Sequence, residues 1–215
     1  MVDFMNYREI AEKAMKGTTT IGIVCSDGVV MGADSRATMD TFIASSEAIK
    51  IYKINDKLGL TVAGEVGGAE YLAKVLKVQN DSYIMEEKVP LNPTSATSIL
   101  HIILQENKMF PFLVQLLVGG FNKETPELYS IDPLGGYTKE SKFASTGSGS
   151  LTALGYVEEA YKKDITAQEA TKVVARALKI AMKRDSATGD STHIVTITKN
   201  GYKELSQEEI EKLLK

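Results

Sequence analysis

The order of predicted strands and helices is the feature that most constrains how this chain can fold. Stretches with apolar residues at alternate positions, typical of strands, come in blocks, and each of the first two blocks is followed by two helical patterns. A final pair of strands and a short helix complete the order. Antiparallel strand blocks that alternate with paired helices predict two stacked sheets flanked by helices. The expected fold is therefore α+β, a four-layer αββα sandwich of two antiparallel sheets.

The residue pattern also predicts where individual elements lie. The pairs Thr166/Glu169 and Ser206/Glu209 each fit a capping box, which marks the start of a helix. The predicted strands cover 18–25, 29–34, 49–54, 58–64, 112–121, 128–131, 137–145 and 193–198, and the main helices cover 67–87, 93–108, 151–162 and 167–184.

The composition of the chain argues against several classes of protein. A formal net charge of −3 gives no electrostatic reason to expect nucleic acid or an anionic membrane as a partner. No apolar run reaches the roughly 18 residues of a membrane-spanning helix, and charged residues interrupt any signal-peptide core. Cys25 is the only cysteine, so neither an intrachain disulfide nor a multi-cysteine metal site can form. We therefore expect a soluble, cytoplasmic protein.

A threonine at the start of the first predicted strand is the strongest candidate for chemistry. If the bond between Gly17 and Thr18 is cut, Thr18 gains a free α-amine beside its hydroxyl. One residue would then hold both a nucleophile and its general base. We expect residues 1–17 to be a removable propeptide and residues 18–215 to form a single domain. The alternative is that residues 1–17 form a helix that packs on this domain.

Other common catalytic and cofactor motifs are missing from the sequence. A Ser-His-Asp or Cys-His site would need His101 or His193, and neither has a neighbour that suggests catalysis. No P-loop, His-Glu-x-x-His or Cys-x-x-Cys motif occurs. The run from Gly147 to Gly149 begins like a dinucleotide-binding loop, but Thr152 holds the place of its last glycine. We expect no cofactor and no bound metal.

Three charged residues could accompany Thr18. Asp34 ends the second predicted strand, and an Asp-Gly turn joins that strand to the first, so Asp34 could sit near the Thr18 hydroxyl. Arg36 shares its strand face by period-two alternation. Lys50, if buried and paired with Asp34, would be a fixed cation that lowers the pKa of a neighbouring group. Each of these charges could instead mark the exit of a strand into solvent.

Three glycine-containing junctions between strands and helices complete the candidates. A backbone N–H at Gly64 could donate to an oxyanion. Turn geometry and helix capping are sufficient alternative explanations for all three. The junctions lie at 62–67, 145–150 and 184–189.

Together these segments match one family. They are GTTT at 17–20, GADSRAT at 32–38, Lys50, TVAGEVGGA at 61–69, PFLVQLLVGG at 111–120, SIDPLGG at 130–136, STGSGS at 145–150 and MKRDSATG at 182–189. With this order and these separations, residues 18–215 resemble a proteasome β subunit of the archaeal type. The resemblance implies the N-terminal nucleophile hydrolase fold, which agrees with the predicted αββα sandwich.

The resemblance implies a role for each candidate residue in a threonine endopeptidase. Thr18 would be the nucleophile, released by autocatalytic cleavage after Gly17, and its new α-amine would accept the proton. Lys50 would be the catalytic lysine that favours the alkoxide. The other implied roles are the acidic partner of this lysine at Asp34, an orienting role at Arg36, the oxyanion donor at the Gly64 N–H, and a polar shell at Ser148, Asp185 and Thr188.

Two positions depart from the family's usual pattern. Thr188 stands where serine is more frequent, and we expect its hydroxyl to preserve activity. Asp190 stands where glycine is more frequent. The added charge at Asp190 is expected to bear on the geometry of this loop.

The resemblance also implies the substrate and the partners. Apolar residues would line the pocket for the side chain before the cut bond, which predicts cleavage after hydrophobic residues. The backbone around Thr38 and Gly64 would pair with an unfolded polypeptide as an added strand. The pocket residues would be Ala37, Ala48, Tyr52, Val62 and Val66. The implied partners are other β subunits in a heptameric ring, proteasome α subunits in stacked outer rings, and an ATPase unfoldase that acts through the α ring.

Two other functions stay open. One is a structural ring subunit that never processes itself, although the joint presence of Gly17, Thr18, Asp34 and Lys50 argues against it. The other is a different N-terminal nucleophile hydrolase, such as a small-amide amidase or the simpler bacterial two-ring protease. The leader length and the TGSGS and RDSATG segments favour the proteasome.

Overall fold

The computed structural model of this chain describes residues 17–39 and 42–215. Residues 1–16, which hold nearly all of the predicted propeptide, lie outside the described residues. In chain order the strands are β1 (Thr20–Val24), β2 (Gly28–Asp34), β3 (Ala37–Met39), β4 (Phe42–Ser45), β5 (Ile51–Asn55), β6 (Leu58–Gly64), β7 (Val114–Asn122), β8 (Thr125–Ile131), β9 (Tyr137–Glu140), β10 (Phe143–Thr146), β11 (Thr192–Thr198) and β12 (Gly201–Glu204). The helices are α1 (Val66–Glu87), α2 (Pro93–Glu106), α3 (Ser150–Ala160), α4 (Ala167–Arg184) and α5 (Gln207–Leu214).

Most of the strands form two five-stranded antiparallel sheets. The first sheet has the order β10-β1-β2-β11-β12, and the second has the order β5-β6-β7-β8-β9. The strands β3 and β4 form a separate two-stranded hairpin between β2 and β5 in the chain. This hairpin was not predicted from the sequence, because its strands are only three and four residues long.

Three clusters of buried apolar side chains hold the layers together. The first, with Leu72 and Leu116, joins the second sheet to α1 and α2. The next, with Ile21 and Val174, joins the first sheet to the remaining helices. The third, which contains Leu117, fills the space between the two sheets. Helices therefore cover the outer faces of two stacked sheets, and the predicted αββα sandwich is confirmed.

Local sequence signals account for the starts of several helices. Both predicted capping boxes are present, with the Thr166 side chain accepting from the Glu169 N–H and the Ser206 side chain accepting from the Glu209 N–H. The Asn92 side chain caps α2, which has proline at its first position. Within residues 17–39 and 42–215, no helix has both the length and the apolar character needed to cross a membrane.

The prediction of one strand over 137–145 is wrong. This stretch holds two strands in different sheets, since β9 pairs with β8 in the second sheet and β10 pairs with β1 in the first. A bend at Ser141 and Lys142 carries the chain from one sheet to the other. Residues suited to strands continue on both sides of the bend, so the pattern alone does not reveal the change of sheet.

The pairing of β1 with β2 brings together two of the predicted site residues. Thr20 lies opposite Ala33, and the Asp34 N–H donates to the Thr19 carbonyl at 3.3 Å. The start of β1 and the end of β2 therefore lie side by side. β1 begins at Thr20 rather than at Thr18, because the two preceding threonines enter hydrogen bonds of the site described below.

Candidate active site

Thr18 lies at the centre of a group of polar residues at one end of the sandwich. Its hydroxyl donates to the Gly17 carbonyl oxygen at 2.6 Å, and its backbone N–H donates to Ser148 Oγ at 3.4 Å. The residue is 5 % exposed, and Thr18 lines a cavity. The hydroxyl of the predicted nucleophile therefore lies directly beside the peptide carbonyl that precedes it.

Lys50 places a buried cation next to the same carbonyl. Its Nζ donates to Asp34 Oδ1 at 2.8 Å, to the Arg36 carbonyl at 2.6 Å and to the Gly17 carbonyl at 3.2 Å. These contacts use all three N–H donors of an ammonium group. Burial lowers the pKa of Lys50, and the negative charge of Asp34 opposes that effect. The ion pair predicted from the sequence is therefore present.

Asp34 is fully buried, and both of its carboxylate oxygens are occupied by donors. Oδ1 accepts from Lys50 and from the Thr19 N–H at 2.9 Å. Oδ2 accepts from the Gly189 N–H at 2.9 Å and from the Arg36 N–H at 3.2 Å. Three backbone amides and one ammonium satisfy a charge whose burial would otherwise be costly. Asp34 thus ties Lys50 to the start of β1 and to the loop after α4.

A second carboxylate, Asp185, connects the hydroxyl groups around Thr18. Its Oδ2 accepts from Ser148 Oγ and from Thr188 Oγ1, both at 2.5 Å. Thr188 Oγ1 in turn lies 2.7 Å from Thr19 Oγ1. Ser148 and Thr188 therefore share one acceptor, and each contacts a threonine at the start of the first strand. The sequence did not single out Thr19, whose hydroxyl and N–H both belong to this network.

Arg36 and Asp190 form an ion pair at the edge of the site. Arg36 Nε and Nη2 each donate to one oxygen of Asp190 at 3.1 Å, and Nη1 donates to the Ser186 carbonyl at 2.9 Å. The Arg36 guanidinium lowers the pKa of Asp190. The position flagged as a departure from the family's pattern is therefore the partner of the predicted orienting arginine.

The cavity beside Thr18 has a volume of about 260 Å³. The lining is mostly apolar and comes from β3, β4, β5, β6, the start of α1 and the segments just before β1 and β5. All of the residues predicted to contact substrate line this cavity, namely Ala37, Thr38, Ala48, Tyr52, Val62 and Val66. Gly64, the predicted oxyanion donor, and Lys50 also border it. The structure therefore brings the predicted nucleophile, cation and substrate residues to one cavity.

Part of the cavity lining was not predicted from the sequence. Met39 and Ala44 belong to the unpredicted hairpin, and Ile49 precedes β5. Ala69 lies three residues after Val66 on α1 and so on the same helix face, a spacing that would have identified it. Glu65 adds one carboxylate to the lining.

The residues that sequence analysis set aside lie in other surroundings. His101 Nδ1 contacts the Gly135 carbonyl, and His193 pairs with Glu204. Burial raises the pKa of Cys25 to about 12, so its thiol is protonated at neutral pH. The described part of the chain contains no cluster of three or more His, Cys, Asp or Glu side chains that could hold a metal ion.

Comparison with known proteins shows the family to which this chain is similar. Residues 14–197 match the family described as Proteasome subunit. A "Proteasome subunit beta" of Archaeoglobus profundus is 49% identical over 207 residues, which cover 96% of this chain and 96% of the relative. Proteins of the same name from Archaeoglobus fulgidus and Ferroglobus placidus are 47% and 46% identical, over 95% of this chain and 96% and 98% of their own length. The chain therefore belongs to the proteasome subunit family.

Proposed function

We propose that this chain is a threonine endopeptidase that cuts peptide bonds in unfolded proteins. The observation that carries the proposal is the environment of the Gly17 carbonyl oxygen. This oxygen accepts hydrogen bonds from the Thr18 hydroxyl at 2.6 Å and from the Lys50 ammonium at 3.2 Å. A nucleophile and a buried cation converge on one peptide carbonyl, which is the arrangement that acyl transfer needs.

The first bond to be cut would be the one between Gly17 and Thr18, so that residues 1–17 leave as a propeptide. Thr18 Oγ1 forms a bond to the Gly17 carbonyl carbon, the C–N bond breaks, and the hydroxyl proton passes to the departing nitrogen. Water then hydrolyses the ester to a Gly17 carboxylate and a free Thr18 hydroxyl. Lys50 would stabilise the negative charge that develops on the Gly17 oxygen.

After this cleavage the same site would act on other peptides. The new α-amine of Thr18 has an ordinary pKa of about 7.7–8.0, so it can accept the hydroxyl proton near neutral pH. The substrate carbonyl would take the place of the Gly17 carbonyl, with the Gly64 N–H as oxyanion donor. Ser148 lies 3.4 Å from the Thr18 nitrogen and would help to hold the amine, while Asp185 holds Ser148. Lys50, fixed by Asp34, would favour the alkoxide.

The cavity supports a preference for hydrophobic residues before the cut bond. Its wall combines small residues, Ala37 and Ala48, with the apolar side chains of Val62 and Val66. An acidic substrate side chain would find no cation at Val62. Burial of an apolar side chain would supply binding free energy at about 25 cal/mol per Å².

The family membership supports assembly into a proteasome core in the cytoplasm. In this proposal the chain forms a heptameric ring with other β subunits, and α subunits stack on the outside of two such rings. An ATPase unfoldase would feed polypeptides through the α ring. Until assembly, the Thr18 nitrogen would be an amide and could not act as a base, so the protease would be latent.

The intact mass of the purified chain, alone and after mixing with α subunits of the same source, tests the proposal. Loss of residues 1–17 is expected in the wild type. Thr18→Ala should assemble, keep its full mass and fail to cut a fluorogenic peptide with a hydrophobic residue before the cut bond. Lys50→Ala should behave nearly the same way.

The same measurements separate the proposal from its alternatives. Full-length mass in an assembled wild-type particle would instead identify a structural subunit that never processes itself. Peptide hydrolysis by Thr18→Ala at the wild-type rate would refute the mechanism. Cleavage of small amides without cleavage of peptides would identify a different N-terminal nucleophile hydrolase.

A further inference from the structure

Asp190 has a backbone conformation that is uncommon for residues other than glycine, although aspartate and asparagine tolerate it better than most. Its φ is +65°, in the left-handed region that favours glycine. The side chain compensates through a bidentate ion pair, because each carboxylate oxygen accepts one N–H of Arg36 at 3.1 Å. A disfavoured backbone conformation held by two charge-assisted hydrogen bonds suggests that the position of this carboxylate matters.

The partner of Asp190 connects two sides of the candidate active site. The Arg36 carbonyl is one of the three acceptors of Lys50 Nζ, at 2.6 Å. The Arg36 side chain reaches the loop after α4, where it donates to Asp190 and to the Ser186 carbonyl. It also lies against Gly189, since a Cβ at that position would run into the guanidinium group. Arg36 therefore holds Lys50 through its main-chain carbonyl, and it holds the loop after α4 through its side chain.

The loop held in this way carries part of the polar shell of Thr18. Asp185 accepts from Ser148 and Thr188, and the Gly189 N–H donates to Asp34. A shift of the loop relative to the end of β2 would therefore disturb both carboxylates of the site. About 1 Å of misplacement in a catalytic group is enough to lower a rate substantially.

We propose that Asp190 is a positioning residue for Thr18 catalysis, acting through its ion pair with Arg36 to fix the 185–190 loop against Lys50 and Asp34. This inference rests on the proposed peptidase function. Asp190 does not itself touch the Gly17–Thr18 bond in the contacts described above. Its effect should therefore appear in the rate of the chemical step and not in substrate binding.

Two substitutions at Asp190 distinguish the effect of the carboxylate from the effect of the strained backbone. Asp190→Asn keeps the shape and the tolerance for positive φ but loses the charge. Asp190→Gly loses the carboxylate while suiting the left-handed backbone, so it should leave folding intact. In assembled particles whose intact mass shows Thr18 at the N-terminus, both variants should lower kcat by about tenfold. KM for the hydrophobic fluorogenic peptide should stay within about twofold of the wild type.

Asp164 provides a matched control. It is an exposed aspartate with φ +62°, and it precedes Ile165, whose carbonyl accepts from Ser26 beyond the far end of β1. Asp164→Asn and Asp164→Gly should leave kcat unchanged. If the ion pair is the cause, Arg36→Gln combined with Asp190→Asn should lose no more activity than Arg36→Gln alone.

Three results would overturn the inference while leaving the proposed function standing. They are an unchanged kcat in either Asp190 variant, a change in KM without a change in kcat, and losses that multiply in the double variant. A wild-type particle without Thr18-dependent peptide hydrolysis would overturn the inference together with the proposed function. Equal melting temperatures of Asp190→Gly and the wild type would show that the loss of kcat is not a loss of folding.

Discussion

At the scale of single residues, Gly17 shows how closely the Gly17–Thr18 peptide bond, the proposed cleavage site, fits against β3. Its φ is +118°, and a Cβ at this position would run into the Thr38 hydroxyl. We predict that Gly17→Ala slows the removal of residues 1–17 by about tenfold or more, because alanine must shift the carbonyl away from Thr18 Oγ1. Intact-mass measurements at timed intervals during assembly give this rate.

The expected defect of Gly17→Ala is confined to the first cleavage. Molecules that have been cut should hydrolyse peptides at the wild-type rate, since residue 17 leaves with the propeptide. Gly155→Ala is the matched control, because a Cβ at that position would meet open space. Equal cleavage rates for Gly17→Ala and Gly155→Ala would show that the fit of Gly17 does not control the reaction.

Residue patterns predict only the part of the site that lies close together in sequence. Asp34 could be placed beside Thr18 because a short turn joins β1 and β2, and their register is then nearly fixed. Asp185 and Thr188 lie more than 160 residues after Thr18, and only their resemblance to a family motif pointed to them. The partner of Arg36 at Asp190 depends on the path of a loop, which local patterns do not specify.

At the scale of elements, α3 contains a glycine at a position where a larger side chain would fit without a clash. Gly155 is exposed within α3, and a Cβ there would have no heavy atom within 4 Å. We predict that Gly155→Ala raises the free energy of unfolding by about 0.5–1 kcal/mol, because alanine loses less backbone entropy in a helix. Urea unfolding of the uncut chain carrying Thr18→Ala measures the change.

Gly32→Ala in β2 serves as the comparison, and it should lower the free energy of unfolding. A Cβ at Gly32 would run into Val174 of α4, so that the sheet and the helix would have to separate. A lower unfolding free energy for Gly155→Ala, or no difference between the two variants, would contradict the prediction.

The bounds of a helix or strand could be predicted from the sequence where a single residue pattern runs through the whole element. The helix over 167–184 and the strand over 58–64 have the predicted bounds, since a capping box and a clear apolar run define them. The prediction of one strand over 137–145 was wrong because a strand pattern indicates which side chains alternate between the two faces. It does not indicate which neighbouring strand the segment pairs with. Pairing depends on the whole sandwich, as the change of sheet between β9 and β10 shows.

At the scale of the whole molecule, the candidate site draws on both sheets. Thr18 lies just before β1 and Asp34 lies at the end of β2 in the first sheet, while Lys50 lies just before β5 and Gly64 ends β6 in the second sheet. Contact between Lys50 and Asp34 therefore requires the two sheets to be stacked. The apolar layer between the sheets therefore positions the candidate catalytic groups as well as stabilising the fold.

Leu117 tests how much this layer contributes. It is fully buried on β7 among the side chains that separate the two sheets. We predict that Leu117→Ala lowers the free energy of unfolding by about 2–5 kcal/mol, through lost apolar burial and the cavity that remains. Leu151→Ala, at a position that is 83% exposed on α3, should change it by less than about 0.5 kcal/mol. Urea unfolding of the uncut Thr18→Ala chain measures both, and equal losses in the two variants would mean that the layer between the sheets does not dominate the stability of the sandwich.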